Sequence, residues 1–220
     1  MSRIFYDCEF LEDGRTIDLI SIGLAADDGR EYYAVASDAP WDRIRKHDWL
    51  VRNVVPYLPV TGRTSLDSYL ANHPNSYPRP LIDFVGPDLA DSHVKPRQVI
   101  ANEVRDFILA APDPQMWAWY GASDFVALYQ LWGPLIHLPK GVPMWTNDLK
   151  QEAERLGNPD FPSLPGVTRH NALDDAREVK YRYDWLMAQG KPAETGLDKV
   201  AAAVRKARGG DPPVQVRGFA

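Results

Sequence analysis

The first third of the chain alternates between apolar runs and short polar turns. Glu12-Asp13-Gly14 and Asp28-Gly29 are turn sequences, and each separates two segments rich in apolar and aromatic residues. Because an aspartate–glycine pair suits a tight turn between antiparallel strands, the pattern predicts a β-meander. Its three strands are expected over residues 3–10, 16–26 and 30–36.

Farther along, apolar residues recur at the three- and four-residue spacing that is typical of helices. A short apolar run over residues 116–120 interrupts this pattern and predicts one more strand before Gly121. Strands first, followed by a strand among helices, predict an α/β domain with a mixed sheet. The helices are expected at about 41–52, from Arg97 up to Pro112, and over 123–132, 147–156 and 170–190.

Two segments fall outside this regular pattern. Residues 61–96 are rich in proline and show no sustained period, which predicts a long ordered insertion. Residues 191–220 carry six basic residues against three acidic ones. Such a tail can follow a phosphate backbone, but we favour a solvated end, partly disordered. The sequence therefore predicts one domain over residues 1–190 and a basic tail after it.

The composition narrows the class of protein. The chain has 220 residues, of which 45% are hydrophobic, and its net charge of −5 argues against a general nucleic-acid coat protein. A single cysteine, Cys8, excludes an internal disulfide and a cysteine-based zinc site, and it fits a reducing cytoplasm. No apolar run approaches the roughly 20 residues of a membrane span. We therefore expect a soluble, cytoplasmic protein without a membrane partner.

Two acids interrupt the first predicted strand. Asp7 and Glu9 lie two residues apart, so a strand places both side chains on the same face. Unpaired carboxylates at a buried position cost several kcal/mol each, and neighbouring ones repel one another. A functional reason for the pair is therefore expected.

The last predicted helix adds one acid of the same kind. At about 100° per residue, Asp175 lies about 60° from Ala172, at the edge of the apolar face, whereas Asp174 lies about 160° away. The helical wheel therefore predicts that Asp175 faces the core and that Asp174 faces solvent. Asp174→Asn should accordingly have almost no effect on activity. The alternative for Asp175 is an ion pair with a basic residue.

Two further residues complete the set of candidates. Asp124 lies in the first turn of a predicted helix, where capping of the helix, with Ser123, is the alternative role. His170 lies at the start of the last helix or just before it, and its alternative is a histidine without a catalytic task. Each signal is weak alone; the ordered set favours a functional site.

Acids gathered from separate elements form a negative, oxygen-rich pocket. Such ligands suit Mg²⁺ or Mn²⁺, and two ions about 4 Å apart support phosphoryl transfer. A nearby histidine can take the proton from the attacking water. The sequence thus predicts a metal-dependent phosphoryl-transfer site.

The order of these residues resembles the signature of the DEDDh 3′→5′ exonucleases. Their D-x-E corresponds to Asp7 and Glu9, their mid-chain aspartate to Asp124, and their H-x4-D to His170 and Asp175. Four stretches are similar to the 3′→5′ exoribonuclease family known from mycobacteria, which is related to ribonuclease T and oligoribonuclease. They are FYDCEFLEDGRTIDLISIG, REYYAV, WAWYGASDFVALYQLWGP and HNALDDAR, within residues 3–60 and 97–188.

This resemblance implies a ribonuclease H-like α/β fold and a role for each residue. Asp7, Glu9 and Asp175 would bind the first Mg²⁺, and Asp7 would also reach a second. Asp124 would act largely through metal-bound water, and His170 would be the general base. The substrate would be a single-stranded 3′ end or 3′ overhang of RNA, with nucleoside 5′-monophosphates as products, and the assembly a homodimer.

The chain also departs from the resemblance. Ribonuclease T-like members tend to carry asparagine where this chain has Tyr120, and residues 61–96 and the tail have no counterpart. Phe10 and Leu11 follow the acid pair, so one of them could stack on the terminal bases; ordinary core packing is the alternative for Phe10. Two functional alternatives are a DNA 3′→5′ exonuclease and a nucleic-acid-binding module without catalysis.

Overall fold

The central element of the computed structural model, which describes residues 1–62 and 86–189, is a mixed sheet of six strands. Its order is β6-β3-β2-β1-β7-β8. β1 pairs antiparallel with β2 and parallel with β7, which makes it a central strand. The strands are β1 (Ser2–Glu12), β2 (Ile17–Ala26), β3 (Glu31–Ala36), β6 (Val94–Lys95), β7 (Pro114–Ala118) and β8 (Asn147–Asp148), and β4 (Val60–Thr61) pairs with β5 (Gly86–Pro87) in a separate small sheet.

Helices flank this sheet, so the α/β class with a mixed sheet is confirmed, and the arrangement is consistent with a ribonuclease H-like fold. The meander forms as predicted, because Gly14 and Gly29 adopt the positive φ values, 79° and 86°, that its tight turns need. The described helices are α1 (Trp41–Ile44), α2 (Asp48–Asn53), α3 (Arg97–Leu109), α4 (Ala122–Tyr129), α5 (Leu149–Arg155) and α6 (Ala172–Ala188).

Several boundaries differ from the prediction, among them the helix expected over 147–156, whose first two residues form β8 instead. The helix expected over 41–52 is broken, because His47 takes an extended backbone and its Nδ1 accepts the Leu50 N–H at the start of α2. The strand expected over 116–120 ends at Ala118, because Tyr120 has a positive φ of 57°. The predicted insertion contributes two strands, β5 and β6, of which β6 pairs with β3. Residues 63–85 of that insertion and the tail 191–220 lie outside the described residues.

The two faces of β1 enter different parts of the core. Ile4, Tyr6 and Cys8 belong to the main apolar cluster between the sheet and α3 and α4. Phe5 points the other way and packs with Val179 and Tyr183 of α6. Because side chains alternate along a strand, Asp7 and Glu9 share the face of Phe5 and look towards α6.

A register shift ends this simple alternation. Glu9 pairs with Ser21, but Phe10 pairs with Leu19, so β2 carries one extra residue, Ile20, at this point. Such a β-bulge twists the strands and redirects the side chains that follow.

The start of α6 approaches the sheet unusually closely. Gly23 of β2 pairs with Asp7, and a Cβ added to Gly23 would lie 2.3 Å from the backbone of Ala172. The absence of a side chain at Gly23 therefore lets the first turn of α6 lie directly beside the acid pair of β1. Over residues 1–62 and 86–189, no helix is both long and apolar enough to span a membrane.

Candidate active site

The acid pair of β1 forms the floor of a cleft of about 290 Å³. Glu9 is 8% exposed, and Asp7 is half-buried beside it. The cleft brings the candidates together from three elements, which is the arrangement that the sequence predicted. Its lining consists of Asp7, Glu9, Phe10, Asp124, His170 and Asp175, together with Cys8, Trp119, Glu178, Val179 and Arg182.

Asp124 reaches the acid pair from the first turn of α4. Its side chain is 7% exposed, and its Oδ1 accepts the backbone N–H of Cys8 at 2.9 Å. No side chain caps the start of α4, so the alternative capping role is not what the structure has. The bond fixes Asp124 against the residue between Asp7 and Glu9.

His170 precedes α6 within a tight turn. Its φ is 63°, and Asn171 follows as the helix N-cap, with a side chain that accepts the N–H groups of Leu173 and Asp174. His170 Nδ1 lies 3.7 Å from Glu9 Oε1. The ring also meets the exposed Trp49 of α2 edge-on, with 5.0 Å between the ring centres.

Asp175 lies one turn into α6 and faces the cleft. Its Oδ2 accepts the backbone N–H of His170 at 2.7 Å. The ligand atoms of Glu9, His170 and Asp175 all lie within 4.8 Å of one another, so these three side chains could hold a metal ion.

The prediction that Asp174 faces solvent is wrong. Its side chain is only 20% exposed. It accepts the N–H of Thr168 at 3.1 Å and pairs with Arg177 at 2.7 Å. The loop before α6 folds back over this residue, and a helical wheel contains no information on that loop.

Three carboxyl groups of the cleft have raised pKa values. Burial, followed by the charges of neighbouring acids that include Asp124 and Glu9, raises the pKa of Asp7 well above its usual range. Burial likewise raises the pKa of Asp124 to about 7 and that of Asp175 to about 6. A divalent cation would remove this penalty, because it favours the ionised form of each ligand. The oxygen-rich donor set fits such a cation.

The pKa of His170 is raised as well. Its contact with the Glu9 carboxylate raises the pKa of the imidazole, against a smaller opposing effect of burial. The ring is 39% exposed, so it can exchange protons with solvent or with a ligand in the cleft.

Phe10 and Leu11 occupy different environments. Phe10 is half-buried, lines the cleft and also packs against the edge of the main core. Leu11 is 3% exposed and belongs to the main core, so it cannot stack on a base in this conformation. The bulge after Glu9 explains why Phe10 rather than Leu11 lines the cleft, since strict alternation would have placed Leu11 beside Asp7 and Glu9.

Several cleft residues were not found from the sequence. Glu178 and Arg182 lie three and seven residues after Asp175 on α6, so the helical period contained a signal for them. Arg182 pairs with Glu178 at 2.5 Å and lies 4.6 Å from the centre of the Trp119 ring. Trp119 of the cleft, and Trp49 beside the His170 ring, carried no comparable signal, because their neighbours come from distant parts of the chain.

Tyr120, at the position where ribonuclease T-like proteins tend to have asparagine, is 63% exposed. Its positive φ begins the turn into α4, and its backbone N–H donates to Asp148 Oδ1 at 3.2 Å. The side chain is not among the residues that line the cleft.

Comparison with known proteins gives relatives over most of the chain. Two proteins named 3′-5′ exoribonuclease, from two strains of Mycobacterium tuberculosis, are each 38% identical over 183 residues. The match covers 82% of this chain and 90% of each relative. No protein-family model matches the chain.

Proposed function

Because the chain belongs to the family of the mycobacterial 3′-5′ exoribonucleases, we propose that it releases nucleoside 5′-monophosphates from RNA 3′ ends at a DEDDh site with two metal ions. One observation carries the proposal: Asp7, Glu9, Asp124, His170 and Asp175 line a single cleft. Burial raises the pKa of Asp7, Asp124 and Asp175, which means that keeping these acids ionised together costs free energy. Such a cost is typical of a functional site and not of a chance cluster.

Asp7, Glu9 and Asp175 are the ligands that we assign to the first ion, with Asp7 reaching the second and Asp124 acting largely through bound water. Oxygen donors without a cysteine at the ligand positions suit Mg²⁺, with Mn²⁺ as a substitute. When bound, the ions supply charge stabilisation for both the attacking and the leaving oxygen. Asp124 contributes geometry as well, because its bond to Cys8 N–H fixes it beside β1.

His170 is assigned as the general base. Its Nδ1 faces Glu9, so Nε2 is the ring nitrogen left to take the proton from the attacking water. An imidazole titrates close to neutral pH and can therefore accept and return this proton in each turnover. Its exposure allows the proton to leave to solvent.

The shape of the cleft favours a single-stranded end. Phe10 and Trp119 line it beside the acids, and aromatic rings are the usual platforms for unpaired bases. We infer that RNA is the substrate; a DNA 3′ end is the alternative that the experiment below compares with it. A cytoplasmic location and a homodimer are part of the same proposal; the buried, unpaired Cys8 supports the location.

The test uses RNA and DNA of one sequence, labelled at the 5′ end or at the 3′ end, with Mg²⁺ or EDTA. A 3′-to-5′ ladder from 5′-labelled RNA, with mononucleotide from the 3′ label, is expected only with Mg²⁺. Asp7→Asn is the matched inactive control, and it should fold at least as stably as the wild type without metal because one repelling charge is removed. Full activity in EDTA or in Asp7→Asn would contradict the metal site, and binding without cleavage would favour the module without catalysis.

A further inference from the structure

The turn that carries His170 is an unfavourable piece of backbone. Thr168 and Asn171 close it, with the Asn171 N–H donating to the Thr168 carbonyl at 3.3 Å. His170 occupies its third position with a φ of 63°, in the left-handed region that only a few per cent of residues other than glycine adopt, asparagine, aspartate and histidine most often among them. Such a conformation persists only when its surroundings hold it.

Two adjacent carboxylates hold the turn. Asp175 accepts the N–H of His170 at 2.7 Å, and Asp174 accepts the N–H of Thr168 at 3.1 Å. Asp175 is assigned to the metal site, so its oxygens are shared between the turn and a ligand. Asp174 does not line the cleft, so its bond to the turn does not compete with a role as a metal ligand.

Asp174 is itself held by two consecutive ion pairs, the second of which involves a residue of the sheet. Arg177 Nη1 donates to Asp174 Oδ1 at 2.7 Å. The same guanidinium donates through Nε and Nη2 to the two carboxylate oxygens of Glu31, at 2.8 and 2.6 Å. Glu31 is the first residue of β3. These ion pairs therefore connect the turn that carries His170 to the sheet, and the Arg177–Glu31 contact is bidentate.

We propose that Asp174 is a positioning residue for His170, and that Arg177 and Glu31 orient Asp174. The inference rests on the proposed role of His170 as the base. Arg177 and Glu31 are each 40% exposed, and ion pairs at such positions add little to folding stability. The ion pairs that link Asp174, Arg177 and Glu31 should therefore affect the rate of the reaction more than the stability of the fold.

The first experiment is a double-mutant cycle of Asp174→Ala and His170→Asn on RNA hydrolysis. Asp174→Ala should lower kcat by about 10–100-fold, since a shift of about 1 Å in a catalytic group has an effect of this size, while KM changes less than about threefold. In the His170→Asn background, Asp174→Ala should cause no further loss. Asp174→Asn retains an oxygen that can accept the Thr168 N–H and should lose less activity than Asp174→Ala.

The second experiment does not depend on activity. Hydrogen exchange of the Thr168 and His170 amides should become faster in Asp174→Ala and, to a smaller extent, in Glu31→Gln. Asp184→Ala is the matched control, because it removes the Lys180–Asp184 ion pair from the same helix, far along it from the turn. It should leave both kcat and the exchange of these amides unchanged.

The outcomes separate the two proposals. If wild-type protein does not hydrolyse RNA from the 3′ end with a metal, the proposed function fails, whatever the exchange data show. If the wild type is active but the losses of Asp174→Ala and His170→Asn multiply, or if the exchange of the Thr168 amide is unchanged, the positioning role is wrong.

Discussion

The left-handed backbone of His170 decides which substitution tests its chemistry. Asparagine tolerates a φ near 63° better than alanine does, so His170→Asn removes the imidazole and preserves the turn. We expect kcat to fall by about 10²–10⁴-fold, the range for a lost general base. The wild-type kcat should decline as the pH falls through the pKa of His170, which its contact with the Glu9 carboxylate raises above the usual imidazole value.

In His170→Asn the fall of kcat at low pH, the acidic limb of the pH profile, should be absent. The measurement is the kcat–pH profile of both proteins. Equal binding of RNA by the two proteins is the control. An acidic limb that persists unchanged in the variant would assign the proton transfer to another group.

Phe10 and Leu11, although adjacent, should respond to truncation in opposite ways. Leu11→Ala opens a cavity in the main core and should lower the free energy of unfolding by about 2–5 kcal/mol. Phe10→Ala should instead raise KM for RNA about tenfold, because a stacked base is worth about 1–3 kcal/mol. Urea unfolding and steady-state kinetics on the pair are the measurements. A KM effect confined to Leu11→Ala would show that the bulge redirects the strand differently in solution.

At the scale of elements, the contact between β2 and α6 fixes the site. Gly23→Ala would push the start of α6 away from β2, because its Cβ would lie 2.3 Å from the backbone of Ala172. We expect a loss of about 1–3 kcal/mol in stability, as for other overpacked sites, and a fall of about 100-fold in kcat as Asp175 and His170 move away from Asp7.

Gly86→Ala is the matched control for this prediction. A Cβ at Gly86 would meet nothing within 4 Å, so both stability and kcat should stay close to the wild-type values. Wild-type activity in Gly23→Ala would show that α6 can approach the sheet in another way.

The elements also show what the sequence could and could not predict. Strands and helices with a clear period were found, and the two-residue period of β1 was sufficient to place Asp7 and Glu9 on one face. The exposure of Asp174 was predicted wrongly because a loop covers it. The sequence could not tell which of Phe10 and Leu11 faces the cleft, because a bulge depends on a partner strand, and the role of Gly23 depends on a helix that lies far away in the chain.

At the scale of the whole molecule, the acid cluster should make the metal-free protein less stable as the pH rises. The pKa values of Asp124 and Asp175 are raised in the folded state to about 7 and about 6, so their contribution to stability is present below about pH 4 and is lost as the pH rises through 6–7. The pKa of Asp7 is also raised well above its usual range and acts in the same direction. The raised pKa of His170 acts in the same direction. Between pH 5 and 8 we expect a loss of about 3 kcal/mol, or roughly 6–12 °C in Tm.

Thermal unfolding in EDTA across this pH range measures the effect. Mg²⁺ should raise Tm more at pH 8 than at pH 5, because its ligands must be ionised. Asp7→Asn should flatten the profile of the metal-free protein. A Tm that rises from pH 5 to pH 8 without metal would contradict the raised pKa values.

The division of β1 between two faces has a consequence for how this protein can vary over evolution. Loss or gain of one residue between Ile4 and Glu9 would exchange the faces, sending the acids into the apolar core and Tyr6 and Cys8 into the cleft. Substitutions that keep the alternation can accumulate along this strand, but a change in its length removes fold and chemistry together. Homologues should therefore place their insertions and deletions in the connections between strands and keep the residue count from Ile4 to Glu9 invariant.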